Sequence, residues 1–434
     1  MAEPPERRPT PLLLRWQGCI PASPAALTRI EQLSGAVLML LLAGLPFVSR
    51  SGLGLEILAS GLLWLLWSLC SPPGRIGATG RWLLLILALA CLSTGWSPVP
   101  LAAAKGLLKL MSYMGVYALL CRLLRSRPVW WDRLLAALLS GGVLSSVLAL
   151  RQLYASTEEL ARWADPGSMS TGAIRIYGPL GNPNLLAGYL LPIVPLAVVA
   201  VFRWQGLGLK VFAAVTGLLS ATAVLFTYSR GGWLGLLAAM AVLVFLLLLR
   251  GTAEWPPLWR RLVPLGVLFA GGVLVVIAAT QLEPIRTRVV SLVAGRGDSS
   301  NNFRINVWLA AIDMIQDRPW LGIGPGNAAF NSVYPLYQQP KFNALSAYSV
   351  PLEILVETGI PGLIACLGLG FASLRNGWRA LTAGSELALP CLGCLAAIAG
   401  LLIQGAADTI FFRPEVQISG WLCLATLSQM RREP

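Results

Sequence analysis

The chain of 434 residues contains no histidine, and only 12% of its residues are charged. The first absence excludes any mechanism in which an imidazole acts as general base or metal ligand. The second excludes an ordinary soluble domain, in which about a quarter of the residues are charged. Acidic residues are the scarcer kind, at 19 against 33 lysines and arginines. Each carboxylate inside an apolar run is therefore a candidate for a specific role.

Apolar residues are abundant, at 56% of the chain, and they form runs of roughly 17 to 25 residues, the length that crosses a bilayer as a helix. The sequence therefore predicts an all-α, polytopic integral membrane protein with about twelve transmembrane helices and a large outer loop before the tenth. The predicted spans are 33–49, 52–71, 81–97, 101–121, 134–154, 184–202, 208–228, 231–250, 261–280, 347–374, 386–411 and 416–430.

The formal charge of +14 has a topological explanation, because lysine and arginine accumulate on the cytoplasmic side of membrane proteins. They concentrate here in alternate connections, which predicts that both termini are cytoplasmic and that the chain does not bind nucleic acid. Residues 1–32 are then a cytoplasmic segment without the features of a cleavable signal peptide, and 33–430 form one membrane domain. Cys391 and Cys394 are expected to be packing residues, and neither a metal site nor a cofactor is predicted.

Two predicted outer segments, 155–183 and 281–346, are longer than the other connections and are expected to carry function. In the first, Asn182 precedes a proline, which is typical of a helix N-cap, with a polar contact to substrate as the alternative. In the second, Arg304 and Trp308 lie one helical turn apart on one face. The turn that follows contains three further candidates, Gly324, Gly326 and Asn327. Its backbone N–H groups would bind an anion, or the turn would be only a flexible connection.

Arg230 stands between two long apolar runs, where an unpaired guanidinium is costly. It has either a functional partner at the outer mouth of a helix or a simpler role in reaching lipid headgroups. Together with Arg304, it would suit a phosphate or pyrophosphate, because each guanidinium makes paired, charge-assisted hydrogen bonds. We expect the two arginines to converge on one outward-facing site.

Glu353 and Glu357 are spaced i, i+4 and lie on one face of a helix that Tyr348 precedes. In the functional interpretation one carboxylate is a general base or a cation ligand. In the alternative they are protonated, or paired with arginines of the preceding loop. A tyrosine, with an ordinary pKa of about 10, is a poor base at neutral pH, so Glu353 is the better candidate for proton transfer.

Three stretches in order, "TYSRGGWLG", "FRINVWLAAIDMIQDRPWLGIGPGN" and "SAYSVPLEILVETGIPG", resemble the O-antigen ligase and polymerase superfamily of bacterial envelopes. The resemblance is strongest over about 170–410. The stretch "LSAYSVPLEILVETG" is most similar to a cyanobacterial branch whose members are named bicarbonate transporters.

The superfamily implies a glycosyltransferase-type reaction in polysaccharide biosynthesis, in the bacterial plasma membrane, with glycan taken from a polyprenyl pyrophosphate carrier. In its ligases two arginines bind the leaving pyrophosphate and a histidine activates the acceptor. Arg230 and Arg304 match the arginines, and Tyr348 occupies the histidine position. The branch name implies bicarbonate transport instead, and a non-catalytic partner in either process is a third possibility. The expected partner, besides the bilayer, is a lipid-linked glycan or bicarbonate.

Overall fold

The computed structural model describes residues 21–154, 175–281, 286 and 295–429, which contain α-helices and short 3-10 turns but no strand. Its α-helices are α1 Pro24–Gly44, α2 Arg50–Cys70, α3 Ala78–Gly95, α4 Pro100–Ser126, α5 Val129–Arg151, α6 Pro183–Leu190, α7 Ile193–Arg203, α8 Leu207–Phe226, α9 Arg230–Gly251, α10 Pro257–Gln281, α11 Ser299–Asp317, α12 Asn327–Val333, α13 Val350–Arg379, α14 Ala388–Gly405 and α15 Pro414–Ser428.

Eleven helical segments among the described residues are long and apolar enough to cross a membrane. They confirm the predicted all-α, polytopic class. The predicted span 184–202 is divided between α6 and α7, which together make one of the eleven. The twelfth predicted span, 416–430, corresponds to α15, whose 15 described residues fall short of the roughly 17 that a bilayer requires.

The first helix begins earlier than the predicted 33, inside the segment assigned to the N-terminus. The side chain of Ser23 caps it by accepting a hydrogen bond from the backbone of Ala26, and Pro24 occupies the first turn. The helix was predicted to begin later because its first turns contain polar residues, and in the structure a buried one among them has hydrogen-bond and ion-pair partners. Glu31 is buried, accepts a hydrogen bond from the indole of Trp130 at 2.7 Å and pairs with Arg127 at 3.0 Å.

The centre of the bundle is formed by the α6–α7 pair, α14 and α15, whose side chains are largely buried. At the other extreme, α10 exposes nearly its whole surface. Successive spans alternate in direction, so the starts of α2, α4, α9, α13 and α15 share one end of the bundle. We call it the Arg230 end. Both predicted outer segments meet there, although 155–174 and most of 282–294 lie outside the described residues.

A non-helical segment, residues 318–326, runs from α11 to α12 between α3, α4 and α13, and we call it the strap. It lies against a break in α13 at Gly359, whose φ is +69°. Ile360 donates to the carbonyl of Pro319 at 2.8 Å, while the strap returns hydrogen bonds to α13 through Ile323 and Gly324. Backbone polar groups at membrane depth need such internal partners.

The strap requires glycine at Gly322, where φ is +63° and an added Cβ would lie 2.3 Å from the carbonyl oxygen of Val356. We expect Gly322→Ala to destabilise the protein by at least about 2 kcal/mol, since both backbone strain and a clash arise. The measurement is the Tm of the detergent-solubilised protein. Gly370→Ala, with open space around its Cβ, is the control and should leave the Tm unchanged or higher. Equal Tm values for both variants would contradict the close packing of the strap against α13.

Candidate functional site

Arg230 is the first residue of α9, which Ser229 caps by accepting a hydrogen bond from the backbone of Gly232 at 3.2 Å. Its guanidinium Nη2 lies 3.1 Å from Oδ1 of Asp298 in an ion pair that is almost fully buried. Arg230 therefore has a specific acidic partner at the start of α9. That partner lies on the second of the two long segments.

Asp298 links Arg230 to α11. The same Oδ1 accepts a hydrogen bond from the backbone of Asn301 at 3.1 Å and so caps α11. Its Oδ2 is buried and has no hydrogen-bond partner among the described residues. Because one carboxylate fixes both the guanidinium of Arg230 and the start of α11, it also sets the position of Arg304, six residues further on.

The guanidinium of Arg304 donates from Nη1 to Oγ of Ser300 at 3.2 Å, and its buried Nε has no partner among the described residues. Burial lowers the pKa of Arg304, and the nearby carboxylate of Asp408 opposes this effect, with Arg230 and Tyr348 also within electrostatic range. An arginine stays cationic in proteins even so. Two cationic guanidiniums thus lie near one another, and one retains an unused buried donor.

Asp408, in the turn after α14, is the acidic residue with the largest electrostatic effect on Arg304. Its Oδ2 accepts from Nδ2 of Asn184 at 3.0 Å and its Oδ1 from the backbone of Thr409 at 2.8 Å. Asn184 in turn accepts from Nη2 of Arg175 at 3.1 Å. Burial raises the pKa of Asp408, while Arg304 lowers it. The site therefore draws on both predicted outer segments and on the turn after α14.

Tyr348 lies beside these charges with a backbone φ of +50°, a conformation that costs an L-residue roughly 1–2 kcal/mol. Its carbonyl accepts from the indole Nε1 of Trp308 at 3.4 Å, and its ring packs edge-on against Phe303. Burial raises the pKa of Tyr348, and Asp408 raises it further. The phenol is therefore neutral. Strain held in place by neighbouring side chains is typical of functional positions.

Glu353 and Glu357 both accept hydrogen bonds from backbone N–H groups, Glu353 from the residue before Tyr348 and Glu357 from the last residue of the strap. Oε2 of Glu353 accepts from Ala347 at 2.5 Å, and Oε1 of Glu357 accepts from Gly326 at 2.7 Å. Both residues are buried. On their shared helix face, predicted from the i, i+4 spacing, Glu353 thus holds the residue directly before Tyr348 and Glu357 holds the strap.

Residues 215–367 match the family model for O-Antigen ligase. The match spans about a third of the chain and includes Arg230, Arg304, Tyr348 and Glu353. It supports the O-antigen ligase superfamily and a membrane glycan ligase-like function. No curated protein matches the chain.

Several predicted substrate-binding groups have partners within the chain. Outside the cluster around Arg304, the carbonyl of Glu357 accepts from the N–H of Gly324 at 3.0 Å, while the N–H of Gly326 is held by the same residue's side chain. The amide of Asn327 donates to the carbonyl of Leu345, and Asn182 caps α6. An anion would have to displace Glu357 to use the predicted nest.

Sequence reasoning missed Asp298 and Arg175, and it did not predict that Asn184 and Asp408 would be hydrogen-bonded to each other. The only available signal for Asp408 was a carboxylate in an apolar stretch, "QGAADTIFF". Asn184 and Asp408 also lie outside the region matched to O-Antigen ligase. Asn184 and Asp408 are 224 positions apart in the chain, so only the fold shows that they form a pair.

Proposed function

We propose that this protein is a glycan transferase of the bacterial inner membrane, with both termini cytoplasmic, which binds a polyprenyl-pyrophosphate-linked glycan at Arg230 and Arg304. The observation that carries the proposal is the approach of two guanidiniums in a buried site where Nε of Arg304 has no partner among the described residues. Asp298 and Asp408 offset part of the repulsion between the two guanidiniums, and the unused donor of Arg304 can bind a further anion. A pyrophosphate has oxygens enough to bridge both.

The proposed reaction transfers the sugar from the carrier to an acceptor hydroxyl. The hydroxyl oxygen forms a bond to the anomeric carbon of the donor sugar, and the bond from that carbon to the pyrophosphate oxygen breaks. The bonding electrons leave with polyprenyl pyrophosphate, whose added negative charge Arg230 and Arg304 stabilise. The hydroxyl proton passes to the carboxylate of Glu353, while neutral Tyr348 orients the hydroxyl by hydrogen bonding.

The ion pair between Arg230 and Asp298 has a part in this proposal. A carboxylate at 3.1 Å holds the guanidinium in place before the substrate arrives, and an arginine has donors left for a phosphate oxygen. Asp408 has the corresponding role beside Arg304. Preorganised cations lower the barrier most where charge develops in the transition state.

The test of this function uses purified protein in liposomes, with two assays on the same preparation. The first follows consumption of a polyprenyl-pyrophosphate-linked glycan and release of the pyrophosphate carrier. The second follows entry of labelled bicarbonate. We expect glycan consumption that requires the protein and no bicarbonate entry above that of empty liposomes. Bicarbonate entry without glycan consumption would reject the proposal and favour the transporter.

The proposed orientation places the Arg230 end outside the cell. A cysteine introduced at Asn343, an exposed position before α13, should react with a membrane-impermeant thiol reagent on intact cells. A cysteine at Ser126, exposed at the opposite end of α4, should react only after the membrane is opened. The unsubstituted protein supplies the background from its own cysteines. Labelling of the Ser126 variant alone on intact cells would reverse the orientation.

A further inference from the structure

A cavity lies at the end of the bundle opposite the Arg230 end, where α3 begins and α13 ends. It has a volume of about 320 Å³ and is lined by Ala78, Arg81, Trp82 and Leu85 of α3. Counted from Ala78, these residues are spaced by three, four and seven positions, so they share one face of the helix. The cavity is therefore separated from the candidate functional site by the length of a membrane span.

The adjoining face of α13 adds a second arginine to this cavity. An added Cβ at Gly368 would lie 2.6 Å from the ring of Trp82, so α3 and α13 meet closely at these two residues. Nearer the end of α13, Nδ2 of Asn376 donates to Oγ1 of Thr79 at 3.4 Å. Arg375 follows Gly368 by seven positions, two helical turns, and so lies on the flank of α13 that adjoins Trp82.

We call Arg81, Trp82 and Arg375 the α3–α13 cleft. Both arginines are exposed, and neither makes an ion pair or a side-chain hydrogen bond with a described residue. The fold supplies oxygen partners to other arginines at this end of the bundle, namely Arg122, Arg125, Arg127, Arg203 and Arg250. The difference indicates that the donors of Arg81 and Arg375 are available to a ligand that carries oxygen atoms.

The surface next to these arginines is apolar on the side of the membrane interior. Leu85 lies one turn after Arg81, and Phe371 lies one turn before Arg375, so both are further from the end of the bundle than the arginines. Leu85 is 43% exposed and Phe371 is 67% exposed. Each helix thus presents a guanidinium near the membrane surface and an apolar side chain toward the hydrocarbon, which matches the order of groups along a phospholipid.

We infer that the α3–α13 cleft binds the phosphate headgroup of an anionic phospholipid, whose acyl chains lie along Leu85 and Phe371. The two guanidiniums supply charge-assisted hydrogen bonds to phosphate oxygens. The indole N–H of half-buried Trp82 has no hydrogen-bond partner among the described residues and adds a donor at headgroup level. In the proposed orientation this lipid belongs to the cytoplasmic leaflet, which is the anionic one. Its binding does not depend on the proposed reaction.

The test uses the full chain in nanodiscs of phosphatidylcholine with a small fraction of phosphatidylglycerol that carries a photoreactive group in one acyl chain. Crosslinked peptides are mapped by mass spectrometry. We expect labelling concentrated around Leu85 and Phe371, with a decrease of roughly tenfold in the double variant Arg81→Gln, Arg375→Gln, given the attraction of arginine for anionic lipid. The double variant Arg81→Lys, Arg375→Lys keeps both charges and should retain most of the labelling.

The matched control is Arg260→Gln, Arg261→Gln, which removes the same charge from exposed residues at the same end of the bundle, beside the exposed Trp259. It should leave the labelling unchanged. An equal decrease in this control, or labelling spread evenly over the lipid-facing helices, would show only general attraction to headgroups and overturn the inference. Photoreactive phosphatidylcholine should label the cleft weakly, and equal labelling by both lipids would also overturn it.

Thermal stability gives a second measurement, because a ligand that binds only the folded state raises the Tm. In phosphatidylcholine alone, the unsubstituted protein and both glutamine double variants should have similar Tm values, which shows that the cleft variant folds. Added phosphatidylglycerol should raise the Tm of the unsubstituted protein and the control more than that of Arg81→Gln, Arg375→Gln. An equal rise in all three would contradict the site. If free glycerol phosphate prevents the labelling, the ligand is a soluble phosphate and the lipid assignment is wrong.

Discussion

Arg304→Gln is expected to lower the rate of glycan transfer by at least about 100-fold, the usual effect of removing one preorganised donor from a developing negative charge. The guanidinium is buried beside Asp408 and Arg230 with its Nε unused among the described residues. Glutamine retains polarity but supplies neither the charge nor the paired donors. The measurement is the initial rate of consumption of the lipid-linked glycan by purified protein in liposomes.

Arg230 requires a more conservative substitution. Arg230→Gln would leave the buried carboxylate of Asp298 unpaired and lower the stability of the fold by about 3–5 kcal/mol. Arg230→Lys keeps a cation for Asp298 while removing the fork that binds two phosphate oxygens. We expect a fully folded variant, judged by its Tm, with strongly reduced transfer. Folding without activity would then be attributable to the anion site.

The control for both arginines is Arg296→Gln. Arg296 is exposed, belongs to the same long segment and donates to Oδ1 of Asn302 at 3.1 Å. Its loss removes the same charge, and we expect a change in rate of no more than about twofold, as for other surface substitutions. If Arg304→Gln is as active as this control, the guanidinium does not bind the leaving group.

The helices could be predicted from the sequence because each depends on a local property, the length of an apolar run. The end of α11 is local in the same way, since the helix stops at Asp317, two residues before Pro319, which cannot continue it. Sequence reasoning could not find the break in α13 at Gly359, because the hydrogen bonds that permit it come from the strap, about 40 positions earlier. It also joined α6 to α7, which divide at Leu191 and Pro192, because the prediction counted apolar length and did not use this proline.

The candidate site was predictable in part, for a related reason. Arg230 and Arg304 stand out because a guanidinium near hydrocarbon is costly wherever it lies. Their carboxylate neighbours do not stand out, because the residues around Asp298 are those of an ordinary helix cap and the residues around Asp408 are those of an ordinary turn. The glycine turn gave a misleading signal, since its N–H groups serve the broken helix. Long-range pairing decides the use of each polar group.

Substitutions of Glu353 and Tyr348 distinguish two candidates for the group that accepts the proton in a chain without histidine. We expect Glu353→Gln to abolish transfer, with a loss of about 10²- to 10⁴-fold, because the proposed base is removed. The amide oxygen of glutamine can still accept from the backbone of Ala347, so the helix start is retained. Tyr348→Phe should keep most activity, since burial raises the pKa of Tyr348 and makes it unsuited to act as a base.

Glu357→Gln measures how much of the first effect is structural. Its carboxylate accepts from a backbone N–H as that of Glu353 does, one turn further along α13, so the same chemical change weakens the same kind of bond. We expect a smaller loss, on the order of the 1 kcal/mol by which a charge-assisted hydrogen bond exceeds a neutral one. Equal losses in the two glutamine variants would assign both carboxylates to a structural role, in holding Ala347 and the strap. A different set of results would contradict this assignment: Tyr348→Phe inactive, Glu353→Gln active, and glycan transfer gained in Tyr348→His. The tyrosine would then be the direct substitute for the ligase histidine, and Glu353 would have no part in the proton transfer.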